Sequence, residues 1–230
     1  ISYRLVGSEM CIRDRGSKGL PRKNVKSFLG EPLIARAIRI AEESGLFDLI
    51  LVNTDDEEIA KVARNAGAEV IIRPVELGSD VAEVDPLMIW TIENCKTQYP
   101  VLEDCLISLL YCTAPLRSSE DIKGTYQVML QSNADTALSL CEASDYLWER
   151  KGDFFSPTNY VPAKRAARQT EGWNQFKENK AVYFFSSKNL VESGCRIFGN
   201  VAAYLMPTSR SVDVDSLDDF ILAEAIAKVS

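Results

Sequence analysis

The chain is 230 residues long, the length of one α/β domain, and can bury a sizeable core without metals or disulfides. Its 46% hydrophobic and 26% charged residues give the balance of a globular protein, and no apolar run is long enough for a membrane span, so a soluble protein without a membrane partner is expected. A net charge of −7 argues against nucleic acid as a partner, and the absence of histidine removes Ser-His-Asp and Cys-His nucleophile systems and the usual zinc sites.

The six cysteines, Cys11, Cys95, Cys105, Cys112, Cys141 and Cys195, include no Cys-x-x-Cys pair. They read as free thiols, mostly buried, in a reducing cytoplasm.

In chain order, residues 49–52 form an apolar strand ending in Asn53-Thr54-Asp55-Asp56. Thr54 and Glu57 have capping-box spacing for a helix through Ala66, stopped by Gly67. A strand over 69–72, a helix over 84–97 and a buried-strand run over 105–110 follow. A helix over 119–130 leads to a strand over 136–140. Residues 145–177 are irregular yet rich in aromatics, from Tyr146 and Trp148 to Trp173 and Phe176, and are expected to pack on something, a second subunit being the natural candidate. Strands over 181–185 and 201–205 precede a closing helix that begins near Ser216, with Asp218 and Asp219 in its first turn. Strands alternating with helices imply a largely parallel sheet covered on both faces.

Two stretches carry chemistry. Gly16-Ser17-Lys18-Gly19-Leu20-Pro21-Arg22-Lys23-Asn24 combines two glycines with three cations and no acid, a composition suited to a polyphosphate, although a solvated basic loop has the same composition. Near the other end, Ser211-Val212-Asp213-Val214-Asp215 is expected to be a strand. Its two aspartates would share one face, about 6 to 7 Å apart, and two such carboxylates can hold Mg²⁺ together with substrate phosphates. Helix capping is the alternative role for acids in this region and accounts best for Asp218 and Asp219. A basic glycine loop, an acid pair and no histidine suit phosphoryl or nucleotidyl transfer.

The 16–24 stretch resembles the signature of the acylneuraminate cytidylyltransferases, the CMP-sialic acid synthetases. Further agreement lies in Pro32-Leu33-Ile34, Thr54-Asp55-x-x-Glu58-Ile59-Ala60, Arg73-Pro74-x-Glu76-Leu77, Thr113-x-Pro115-Leu116-Arg117, Arg168-Gln169, Glu178-Asn179-x-Ala181-x-Tyr183 and the 211–215 segment. The resemblance implies a Rossmann-like, three-layer nucleotide-diphospho-sugar transferase fold with a mainly parallel mixed sheet. It implies a homodimer in which CTP and a nonulosonic acid yield a CMP-sugar and pyrophosphate with Mg²⁺. By the same resemblance Gly16, Ser17, Lys18 and Lys23 bind the triphosphate, Asn24, Arg73 and the backbone near Ala82 meet the cytidine, and Asp213 and Asp215 bind the metal. Tyr111, Thr113, Arg168, Gln169 and Tyr183 then lie near the sugar, with 145–178 as a dimerisation excursion that offers Arg168 or Lys164 to the neighbouring subunit. A half-buried sheet tyrosine is the alternative for Tyr183.

Three departures stand out. Residues 1–15 lack the pattern of a buried first strand and place Asp14 where relatives have a loop arginine. They are expected to be a non-native leader that leaves a central sheet position unfilled, with residues 16–230 forming a single domain. Tyr111-Cys112 replaces Gln-Pro, which keeps pseudaminic or legionaminic acid open beside N-acetylneuraminic acid. Lys180 replaces a glycine, which matters if that position needs positive φ. Other classes left open are a metal-dependent glycosyltransferase and a nucleotide-binding relative without turnover.

Overall fold

The computed structural model describes residues 5–10, 19–74, 83–164 and 174–229. The chain begins with β1 (Leu5–Met10) and passes through a short β2–β3 ribbon (Ser27–Phe28, Glu31–Pro32) into α1 (Leu33–Ser44). Then come β4 (Leu49–Thr54), α2 (Glu57–Asn65), β5 (Glu69–Ile72), α3 (Val84–Cys95), β6 (Leu106–Leu110), α4 (Ser119–Ser132) and β7 (Thr136–Glu142). The hairpin β8 (Trp148–Lys151) and β9 (Phe154–Pro157), then β10 (Phe176–Ser186), α5 (Ser187–Ser193), β11 (Val201–Leu205) and α6 (Leu217–Val229) complete it.

Seven strands form one sheet in the order β11-β7-β10-β6-β1-β4-β5, parallel except for β10, which runs antiparallel to both β6 and β7. Alternation along each strand sends side chains to opposite faces. Leu51, Ile107 and Leu109 pack with Leu87, Met88 and Ile92 of α3 and Leu190 of α5. On the other face, Val52 packs with Leu33, Ile34 and Ile38 of α1, Ile59 of α2 and Phe220 of α6, and Leu106 and Leu110 pack with Ile122 of α4. The result is a three-layer α/β architecture, as the alternating pattern implied.

Four local expectations are corrected. The first concerns the sheet position expected to be empty: β1 fills it, pairing in parallel with β4 (Val6↔Leu49) and β6 (Val6↔Ile107). Ladder hydrogen bonds do not depend on side-chain pattern, so two flanking strands can order a segment that lacks one. Second, α2 is capped by Asp56, whose Oδ1 accepts from Glu58 N at 2.9 Å and Ile59 N at 3.1 Å, whereas Thr54 Oγ1 only accepts from Asp56 N. Gly67, at φ 96°, ends the helical run as expected. Third, residues 145–177 include the β8–β9 hairpin, closed by Gly152-Asp153 with Gly152 at φ 64°. Fourth, residues 211–215 form no strand: Val214 N donates to the Thr113 carbonyl in the loop after β6, at 2.8 Å.

Candidate active site

In an open α/β sheet the carboxyl ends of parallel strands are where ligands gather. Here the loops after β4 and β6, the opening of the β10–β6 pairing and the 211–215 segment meet at that edge.

The basic stretch reaches it first. Gly16, Ser17 and Lys18 lie outside the described residues, as do Ala82, Arg168 and Gln169. Lys23 opens a 3-10 turn, Lys23–Val25, and is only 7% exposed. Its Nζ donates to the Val214 carbonyl at 3.1 Å and to Asp215 Oδ1 at 2.9 Å. A solvated loop does not bury an ammonium in this way, because burying a charge is costly unless it is paired. Arg22 turns away, joining Asp56 at 2.5 Å and Glu58 at the start of α2. Asn24 is buried beside Lys23, with its Oδ1 accepting from Cys112 Sγ at 2.9 Å.

Gly19 packs against the acid segment so closely that a Cβ there would stand 2.4 Å from the Asp215 carbonyl oxygen. Val214 is fully buried between the two aspartates, while Val212 is only partly buried against the same core. Burial acts to raise the Asp215 pKa, but the Lys23 hydrogen bond and the Lys23 and Lys180 charges outweigh it and hold the carboxyl below its ordinary value. The Asp213 side chain is mostly covered, and among the described residues its Oδ1 accepts no hydrogen bond. No group of three or more metal-ligating side chains occurs among the described residues. Two hard carboxylates with one unused buried oxygen nevertheless suit Mg²⁺, which takes one or two protein carboxylates and completes its shell with phosphates and water.

Lys180 is the functional candidate whose role sequence reasoning missed. It sits at φ 57°, where the β10–β7 register breaks between Glu178 and Tyr183, so the position does need positive φ. Its ammonium reaches Asp213 Oδ2 and lies 3.5 Å from Asp215 Oδ2. The substitution of a lysine for glycine was visible, but contacts more than 30 residues away along the chain were not.

Arg117, 2% exposed, donates from Nη1 to the Tyr111 carbonyl at 3.0 Å and the Ala181 carbonyl at 2.8 Å, tying the loop after β6 to the Lys180 bulge. Tyr183 is buried, and its hydroxyl donates to Glu178 Oε2 at 2.7 Å. Burial first and Glu178 second push its pKa far above the phenol range. Tyr111 meets it edge-on at 6.1 Å, and the Arg196 guanidinium, paired with Asp85 at 2.6 Å, lies over the Tyr183 ring at 5.2 Å. The structure thus brings Tyr111, Thr113, Tyr183, Lys23, Asn24, Asp213 and Asp215 to one edge. Arg73, 3% exposed, is drawn to Asp55 at 2.7 Å by the ends of β5 and β4, and Lys164 is exposed.

This arrangement, a buried cation joined to an acid pair beside a glycine-containing loop, can hold a cation and a polyphosphate together. Among solved structures, CMP:2-keto-3-deoxy-manno-octonic acid synthetase complexed with CTP aligns over 98% of this chain and 99% of its own, with a TM-score of 0.71 at 14% identity, a likeness of fold. Among curated proteins, N-acylneuraminate cytidylyltransferase A of Danio rerio is 31% identical over 94% of this chain, which spans 50% of that protein's length. Pseudaminic acid cytidylyltransferase of Campylobacter jejuni is 28% identical over 94% of this chain and 93% of its own. Residues 15–208 match the family model described as cytidylyltransferase, a span that includes the glycine loop and Lys180 and stops before Asp213. The chain belongs to the cytidylyltransferase family.

Proposed function

We propose that the protein transfers CMP from CTP to the anomeric hydroxyl of a nonulosonic acid and releases pyrophosphate. The observation that carries this reading is the buried Lys23 ammonium, which joins the glycine loop to the Val214 carbonyl and the Asp215 carboxylate. The names of the relatives support the substrate class, since one acts on N-acylneuraminate and another on pseudaminic acid.

In this reading the anomeric oxygen attacks the α-phosphorus in line, the bond from that phosphorus to the bridging oxygen breaks, pyrophosphate leaves with the electron pair, and the hydroxyl proton passes to solvent. Lys23 stabilises negative charge developing on the triphosphate, already oriented by Val214 and Asp215 so that little reorganisation is needed. Asp213 and Asp215 would hold Mg²⁺, which when bound supplies charge neutralisation at the phosphates. Gly16, Ser17 and Lys18 extend the triphosphate cradle, while Asn24, Arg73 and Ala82 frame the cytidine. Tyr111, Thr113, Arg168, Gln169 and Tyr183 serve the sugar, with Tyr183 kept protonated by burial and by Glu178.

Residues 145–178 serve as the dimerisation excursion. Support comes from the β8–β9 hairpin, which leaves Trp148 53%, Phe154 79% and Phe155 60% exposed, a patch of the kind that marks protein contacts. Among the described residues the cysteines are free, which supports a cytoplasmic setting, and no helix is long and apolar enough to cross a membrane. The test is pyrophosphate release from CTP and Mg²⁺ across N-acetylneuraminic, pseudaminic and legionaminic acids and KDO. Release with one of the nonulosonic acids is expected, and release with KDO alone would overturn the substrate class.

A further inference from the structure

Lys180 combines three features that seldom meet in one residue. Its backbone occupies the left-handed region at φ 57°, a costly conformation for a side chain with a Cβ, and such outliers persist only where the surroundings over-determine them. The surroundings are a buried polar network around Asn179, which is 3% exposed. Asn179 Oδ1 accepts from Ser139 Oγ at 2.6 Å and from Ala181 N at 3.2 Å, and its Nδ2 donates to Ser211 Oγ at 3.0 Å. The residues on both sides of Lys180 are therefore pinned, one of them directly to the segment that carries the acids. The ammonium ends between Asp213 and Asp215, the pair read above as metal ligands.

That location is already a cation site, filled by the protein itself. A divalent ion bound to both carboxylates would stand within a few ångströms of the ammonium, and like charges at that separation repel strongly even in a well-screened site. Asp213 Oδ1 remains buried without a donor among the described residues, so the pair keeps an oxygen in reserve. The Lys180 side chain is 47% exposed, and its flexible stem can carry the charge out to solvent.

We propose that Lys180 is a positioning residue that holds Asp213 and Asp215 as a charge-compensated clamp in the metal-free protein, and that a divalent ion enters only as the ammonium leaves. Lys180 thereby sets the metal affinity of the site. The proposal rests on the reading of the two aspartates as metal ligands.

The test is Mn²⁺ titration of the nucleotide-free protein followed by electron paramagnetic resonance, with wild type, Lys180→Gly, Lys180→Asn and Lys180→Arg. Glycine and asparagine both tolerate positive φ, so the bulge survives in two independent neutral variants, and thermal melting verifies folding. Mn²⁺ should bind about tenfold tighter to the two neutral variants, on the scale of one charge removed next to the ion, and remain weak in the arginine variant. Adding Asp213→Asn and Asp215→Asn to Lys180→Gly should erase the gain. Wild-type affinity in both neutral variants, with the two asparagine changes still abolishing binding, overturns the role of Lys180 alone. Mn²⁺ binding that survives the loss of both aspartates, or is absent from every variant, overturns it together with the metal-ligand reading.

Discussion

Gly19→Ala tests whether the glycine loop and the acid segment work as one unit. The added Cβ would stand 2.4 Å from the Asp215 carbonyl oxygen, a backbone atom that cannot rotate aside, and 3.6 Å from Ser216 Cα. Ordinary carbon–oxygen contacts begin near ~3.3 Å, so the loop and the Asp215 backbone must part by about 0.9 Å. Lys23 follows four residues after Gly19 and bonds to Asp215 Oδ1, so the separation falls on the Lys23–Asp215 contact. A misplacement of about 1 Å costs about 100-fold in rate, or about 2.7 kcal/mol of barrier. The exposed position should keep the global effect on thermal melting small. Steady-state pyrophosphate release with CTP, Mg²⁺ and saturating sugar should show the loss in kcat. A variant with wild-type kcat and an unchanged KM for CTP would refute the coupling between the two segments.

Further outcomes follow from the same geometry. Lys23→Met removes the buried cation and should lower kcat by about 100- to 1000-fold, measured under saturating CTP, while the protein remains folded. Arg210 clasps the fully buried Asp121 carboxylate at the start of α4, at 2.5 and 2.8 Å, and anchors the turn leading into the acid segment. Arg210→Ala should cost about 3 kcal/mol in urea unfolding, because it removes the ion-pair partner of a buried carboxylate and leaves it only the Ser118 amide and hydroxyl. Burial pushes the Cys105 thiol up to about 11. Peptide mapping after brief alkylation at mildly alkaline pH should therefore find Cys195 modified and Cys95, Cys105, Cys112 and Cys141 protected until the protein is unfolded.

The core strands were legible because their side chains report burial directly. The runs 49–52 and 105–110 are apolar since both faces of a mostly parallel sheet are covered. The Leu-Val-Gly-Ser-Glu-Met sequence of β1 carries no such signal, and its place is set by the neighbouring strands β4 and β6. Thr54 and Asp56 both lie near the start of α2, and the sequence does not show that Asp56, not Thr54, accepts from the Glu58 and Ile59 amides. The Gly152-Asp153 turn was a hairpin signal in plain view, obscured by the irregular aromatics around it. At the candidate site the Asp213-Val214-Asp215 alternation was readable, whereas its partners are long-range: Thr113 holds Val214 from the loop after β6, and Lys180 reaches the carboxylates from a bulge. Charge composition identified the basic loop but could not show that Arg22 pairs with the start of α2 while Lys23 turns inward.

The most direct measurement is magnesium-dependent release of pyrophosphate from CTP, followed across the panel of sugar acids, with the CMP-sugar identified by mass spectrometry. The proposed transfer should give stoichiometric pyrophosphate and CMP-nonulosonate with one member of the panel, both lost in Asp213→Asn and Asp215→Asn. A folded protein that binds CTP but releases no pyrophosphate with any of these acids would contradict it.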